Sequence, residues 1–177
     1  MTITYNIDPA HSGVHFSVRH LMISTVRGSF CGIKGTVAHD SENPSSTTID
    51  VEIDVDTVTT NDAKRDGHLK TADFFDVEKY PVMTFKSTGV TSGTSSVYTI
   101  AGNLTLHGVT KPVVLDVEEV AEQAKDPWGL SRVGVTAKSK LKRSDFDLVW
   151  NAPLETGGFV ISDDVKIEFD IQLVKAA

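Results

Sequence analysis

The chain has 177 residues, 40% of them hydrophobic, one cysteine and a net charge of −7. That length suits a single domain spanning 1–177, large enough to bury a core without covalent help, and the lone Cys31 excludes an intrachain disulfide, as in a reducing compartment. The negative balance argues against a nucleic-acid backbone or an anionic membrane surface as main partner, local basic patches such as Lys138, Lys140, Lys142 and Arg143 excepted.

Thr2 to Ile7 reads as a short strand, broken by Asp8-Pro9. From Gly13 to His20 the strand resumes, with Val14, Phe16, Val18 and His20 on one face. Val26 to His39 reads as a second long strand containing Phe30, and its Gly28, Gly32 and Gly35 fit a sharply bent sheet or something packed close to the backbone. After a turn at Asn43-Pro44, the stretch Thr47 to Val58 alternates strictly. Ile49, Val51, Ile53 and Val55 share one face, while Asp50, Glu52, Asp54 and Asp56 share the other. A helix would scatter those four aliphatics around its circumference, so the period decides for strand.

Thr60 to Tyr80 breaks the alternation. Asp62 to Thr71 is expected to form two or three helical turns capped by Asn61 or Asp62, with Leu69, Phe74 and Phe75 giving the segment an apolar underside that fits the end of a barrel. Strands return over Val82 to Val90, with Met83 and Phe85 on one face. After a Ser/Gly/Thr turn they continue over Val97 to Leu106, with Tyr98, Ile100, Leu104 and Leu106 on one face. His107-Gly108 closes a hairpin, where Gly supplies the positive φ a tight turn needs. Pro112, lacking an N–H, marks a bulge or an edge, and such an edge could pair strands across a homodimer. Val133, Val135, Ala137, Ser139 and Leu141 mark the next strand and Val165 to Leu173, including Phe169, the last. Between them, residues 144–164 form a long aromatic loop with Phe146, Trp150 and Phe159, of a length that signals a lid or a binding loop. Short one-sided strands separated by turns indicate an all-antiparallel sandwich or barrel.

No apolar run exceeds three residues, against roughly 18 for a membrane-spanning helix. Met1 leads into ITYNIDPAHS with no basic or apolar leader, so a soluble, cytoplasmic form is expected.

Four stretches in order along nearly the whole chain, IDPAHSGVHFSVRHLMISTVRGSF, RDGHLKTADFFDVEKYPVMTFKS, AGNLTLHGVTKPVVL and KRSDFDLVWN, resemble the YceI-like family. The resemblance implies an all-β, eight-stranded antiparallel lipocalin-like barrel that holds a polyisoprenoid or similar long amphiphile, such as a quinone-type lipid, in its bore; some family members are periplasmic. An eight-stranded barrel is just wide enough to fill itself with side chains or to hold one ligand. Burial yields roughly 0.8 kcal/mol per CH₂ against an association cost on the order of 4–15 kcal/mol, so a chain of some twenty carbons is favoured over a short one.

On this reading Phe16, Val18, Phe30, Ile53, Met83, Phe85, Ile100, Leu104, Val135 and Phe169 line the bore. Phe74, Phe75 and Trp150 close its ends, and His20, Arg65, Asp66, His68 and Arg143 are candidates to orient a head group. Each polar candidate has a plainer explanation. On one strand His11 and His15 would lie about 13 Å apart, too far to share a metal without a bend at Ser12-Gly13, and no HxH or HExxH spacing occurs. Asp66 and His68, two apart on a helix, do not face each other, and Asp66 is expected to pair with Lys70, or Arg65 with a carboxylate. His20 fits a core histidine satisfied by a carbonyl, and Arg143 a solvated strand end or an anion clamp. No GxSxG, SxxK or phosphate-binding glycine loop occurs, so neither catalysis nor a cofactor is expected. The alternatives are an enzyme acting on an isoprenoid lipid and a stress-related interaction module without ligand.

Overall fold

Alternation becomes strand through most of the chain. The computed structural model describes residues 1–93 and 97–177, so part of the turn expected before Val97 lies outside the described residues. Its strands are β1 (Thr2–Ile7), β2 (Gly13–His20), β3 (Ser24–Phe30), β4 (Ile33–Asp40), β5 (Thr48–Asp54), β6 (Val82–Ser92), β7 (Tyr98–Leu106), β8 (Val109–Val120), β9 (Ala124–Lys125), β10 (Ser131–Lys142) and β11 (Ile161–Lys175). One helix, α1 (Ala63–Leu69), stands between β5 and β6.

The last strand closes the barrel. One edge of β11 pairs with β10 from Asp164 to Val174, and its other edge pairs first with β2 and then, from Leu173 onward, with β1. β1 and β2 thus act as one interrupted strand, and β3 and β4, which pair with them in turn, as another. Through β5, β6, β7, β8 and β10 the circuit returns to β11, giving eight antiparallel staves. The expected long strand from Val26 to His39 is therefore two strands. The chain kinks at Gly32, whose φ of 65° lies in the left-handed region that glycine enters without cost. The break between β1 and β2 has its own cause. Pro9 cannot donate to a ladder, and the Asp8 carboxylate caps the 3-10 turn Pro9–His11 by accepting from the Ala10 N–H at 3.0 Å.

Pro112 pairs with Asn103 on β7, while on its other side β8 joins the β10 ladder only from Asp116 onward. Across that gap the Ser139 hydroxyl donates to the Val114 carbonyl at 2.7 Å.

Both termini and the connections 41–47 and 121–130 gather at one end of the barrel. The other, here the cap end, carries the turns 21–23 and 107–108 and the two long connections 55–81 and 143–160. In the first of these, Val55 and Val58 are buried and Asp62 caps α1 by accepting from the Arg65 N–H at 2.9 Å. Asp66 does not reach Lys70. It accepts from the Thr60 N–H at 2.7 Å and the Thr60 hydroxyl at 2.6 Å, while Lys70 pairs with Asp56. Partial burial raises the Asp66 pKa, but these bonds, one from Thr59 and the charge of Arg65 outweigh it and hold the carboxyl below its ordinary range.

Candidate functional site: an apolar bore

The inward faces of the staves do not meet in the middle. They enclose a cavity of about 360 Å³ whose exposed wall is almost entirely carbon, within the range of roughly 300–1,000 Å³ typical of ligand pockets. Along the wall lie Phe16, Val18, Phe30, Ile53, Met83 and Phe85, and further round Ile100, Leu104, Val135 and Phe169. The same period-two pattern brings in residues not singled out from the sequence, such as Val26, Ile33, Val37 and Ile167.

Space exists partly because of where the rings lie. Gly28 pairs across the β2–β3 ladder with Phe16, and a Cβ at 28 would collide with the far edge of that ring. Without one, the ring lies flat over the neighbouring strand instead of across the bore. Gly102 does the same for the ring of Phe85. From the wall an aromatic series climbs to the cap: Phe16 to Phe30 at 5.5 Å between centroids, then Phe30 to Phe75 at 5.5 Å, edge to face.

Polar side chains reach the cavity mainly near its ends. At the cap end these are His20, Thr60, Arg65 and Arg143, and at the other His39, Thr47 and Tyr98. α1 explains Arg65. Positions 65 and 69 lie one turn apart, so Arg65 and Leu69 both face the bore, and Asp66 and His68 are turned off that face. Neither of those two lines the cavity, nor does Trp150. His68 instead holds Asp73 through Nε2 at 2.8 Å and packs edge to face on Phe74 and Trp150. Phe74 does line the bore, so Trp150 seals it from outside, as an outer layer.

Asp66 acts at one remove. The Thr60 hydroxyl that donates to it accepts from Arg65 Nε at 2.7 Å, and Arg65 Nη2 donates to the Thr60 carbonyl at 3.0 Å. Thr60 is buried and could not be anticipated, since nothing in its local pattern distinguishes it. His39 could have been found, because it continues the inward parity of its strand after Ile33 and Val37, just as Tyr98 shares the face of Ile100.

Arg143 is not a solvated strand end. It is buried, with Nε donating to the Ser162 carbonyl at 2.9 Å and Nη1 to those of Leu148 and Trp150, each at 2.8 Å. Nη2 makes a longer bond of 3.4 Å to the Ile161 carbonyl. Burial pushes the guanidinium's pKa down, against the charge of Asp163. Its donors are spent on backbone, and what they pin is the connection 143–160. Among the described residues no three His, Cys, Asp or Glu side chains converge as a metal site would require; His11 pairs with Asp8 at 2.8 Å.

A closed antiparallel barrel of eight staves around a carbon-walled cavity defines a lipocalin-like binding architecture. The YceI-like domain model matches residues 5–173, and the chain belongs to that family. It is 44% identical over 138 residues to a UPF0312 protein of Pectobacterium atrosepticum, covering 78% of this chain and 71% of that one. It is 42% identical over 146 residues to Protein YceI of Salmonella newport, covering 81% and 75%. Among solved structures, a Campylobacter jejuni YceI protein superposes with a TM-score of 0.74 at 31% identity over 90% of each chain. A polyisoprenoid binding domain from Saccharophagus degradans does so with a TM-score of 0.69 at 18% identity, covering 98% of this chain and 99% of that one, a likeness of fold. No helix among the described residues is long and apolar enough to cross a membrane.

Proposed function

We propose that the barrel binds and carries one long-chain isoprenoid or similar amphiphile, a polyprenol, polyprenyl pyrophosphate or quinone-type lipid, with its tail in the bore. The observation that carries this reading is the carbon-walled cavity itself, with polar side chains mainly toward its ends. Burying some twenty carbons at roughly 0.8 kcal/mol each exceeds an association cost on the order of 4–15 kcal/mol, and a short acyl fragment does not. The head group sits at the cap end beside His20, Thr60 and Arg65, whose guanidinium is held in place through Thr60. The fold shared with a protein described as a polyisoprenoid binding domain supports the same class of ligand. A binding role is favoured over catalysis, because of the four groups an enzyme acting on such a lipid would call on, Asp66 and His68 lie off the cavity wall and Arg143 spends its donors on backbone carbonyls, which leaves His20 alone on the wall.

The test is to extract protein purified without detergent into organic solvent, identify the lipid by mass spectrometry, and titrate the stripped protein with prenols and quinones. Recovery of a long isoprenoid and saturable rebinding are expected. Absence of both overturns the reading.

A further inference from the structure

The hairpin joining β2 to β3 turns at Leu21 and Met22, both with left-handed backbone (φ 53° and 60°), and the His20 carbonyl accepts from the Ile23 N–H at 3.2 Å. This is the turn geometry that selects Asn and Gly. Instead it holds Leu and Met followed by Ile, with Met22 65% and Ile23 76% exposed. Phe159, also exposed, lies alongside, because the Leu21 N–H donates to the Val160 carbonyl at 2.8 Å and Gly158 sits against the Met22 sulfur. Neither packing nor turn chemistry accounts for three large apolar side chains held in solvent on a strained turn.

Charge on the same hairpin departs from that of the chain. The net charge is −7, yet no Asp or Glu occurs between Asp8 and Asp40. Arg19 and Arg27 stand exposed on the outer face of β2 and β3, and neither makes an ion pair among the described residues. The Arg19 guanidinium folds over the turn, donating to the Thr25 hydroxyl at 3.2 Å and the Met22 carbonyl at 3.3 Å. The basic patch legible in the sequence is different: Lys138 is neutralised by Glu118, Lys140 by Asp164, and Arg143 is buried. Exposed Lys166, opposite Ser17 on the adjoining β11, extends this basic strip, while Asp145, Asp147 and Glu155 belong to the neighbouring connection.

We propose that this hairpin docks the barrel on an anionic phospholipid bilayer, with Leu21, Met22, Ile23 and Phe159 entering the acyl boundary and Arg19 and Arg27 meeting lipid phosphates. The net charge that argued against such a surface is outweighed locally, since screening confines electrostatics to about 8–10 Å. His20 and Ile161 border the turn and also line the cavity, so the docked face is continuous with the bore. The loading role rests on the proposed lipid-binding function; the docking itself does not.

Co-sedimentation with phosphatidylcholine vesicles, with and without phosphatidylglycerol, tests it. The wild-type chain is expected to sediment with the anionic vesicles and to be released by salt. Leu21→Asn with Met22→Gly supplies the residues the turn prefers, so the fold is kept while vesicle affinity falls about tenfold or more; Ile23→Glu acts alike. Arg19→Gln lowers affinity about fivefold. Trp128→Ser, altering the 81%-exposed tryptophan at the opposite end, leaves binding unchanged. A wild-type chain that stays in the supernatant, hairpin variants that bind like wild type, or self-association abolished by the same variants (a second copy as occupant) would each overturn the proposal. Uptake of a prenol dispersed in detergent separates the two readings. Docking-deficient variants keep it, and a wild type that binds vesicles but takes up no prenol removes the carrier reading and leaves the docking one.

Discussion

Arg143 and Gly28 show how much of the bore depends on single side chains. Replacing Arg143 by Leu leaves carbonyls of Leu148, Trp150 and Ser162 without their donor, and a loss of about 3 kcal/mol is expected in urea denaturation, with little recovered by Lys, whose point charge cannot span them. Gly28→Ala acts in the other direction, on volume. Its methyl group displaces the far edge of the Phe16 ring into the cavity, so the fold persists but the longest prenol accepted shortens; an unchanged length profile on titration would count against this. Asp8 sets an acid limit. His11 and then Arg132 hold its carboxyl down from an ordinary value of 3.8 to about 2, so it stabilises the folded chain above about pH 4 and loses that contribution as pH falls through about 2. Asp8→Asn keeps the cap and removes the charge. The variant should be weaker than wild type by about 1–2 kcal/mol at pH 7, with the difference vanishing near pH 2, as read by urea melts across that range. At this scale inward apolar residues were legible from parity alone. Asp66 and His68 were half legible, since Leu69 marks the inward side of α1 and only Arg65 lies one turn from it; Trp150 was not, because the long connection carries no period that says which side faces the bore.

Among the elements, two hairpin turns invite comparison, one of two residues between Leu106 and Val109 and one of three between His20 and Ser24. His107-Gly108 and Leu21-Met22 both join antiparallel strands with two positive-φ residues, but only the first has a glycine. A left-handed L-residue costs roughly 1–2 kcal/mol, so Leu21→Asn with Met22→Gly is expected to raise stability by about 1 kcal/mol, visible as a higher melting temperature. A lower one would mean that the apolar tip contributes packing its exposure does not show. The Gly108 turn was readable as a hairpin, whereas the Leu21-Met22 turn was not, because its residues contradict its geometry. The kink at Gly32 was half legible. Glycine announced a bend, but not that β3 and β4 part there, since that depends on the matching break at Asp8-Pro9 in the strand opposite.

For the molecule as a whole, ring closure was beyond reach of periodicity. Alternation assigns a dry face to each strand and cannot say whether those faces interlock or stand apart around a hollow; the family resemblance supplied the barrel. A hollow core has a thermodynamic consequence. A lipid in the bore would replace contacts that a filled interior makes for itself, and at a hundredfold excess over its Kd it would add about 2.7 kcal/mol. Stripped protein is therefore expected to melt lower than protein purified without detergent and to recover when a prenol is added back, and identical melting of the two forms would speak against an occupied bore.

Thr2 pairs with Asp40, and the Ala176 N–H donates to the Thr4 carbonyl, so the chain begins and finishes on the rim opposite α1. A fluorophore or affinity handle joined at either extremity would trail behind the protein and leave its leading surface unencumbered. Immobilising the molecule by such a handle would present every copy to the solution in one orientation.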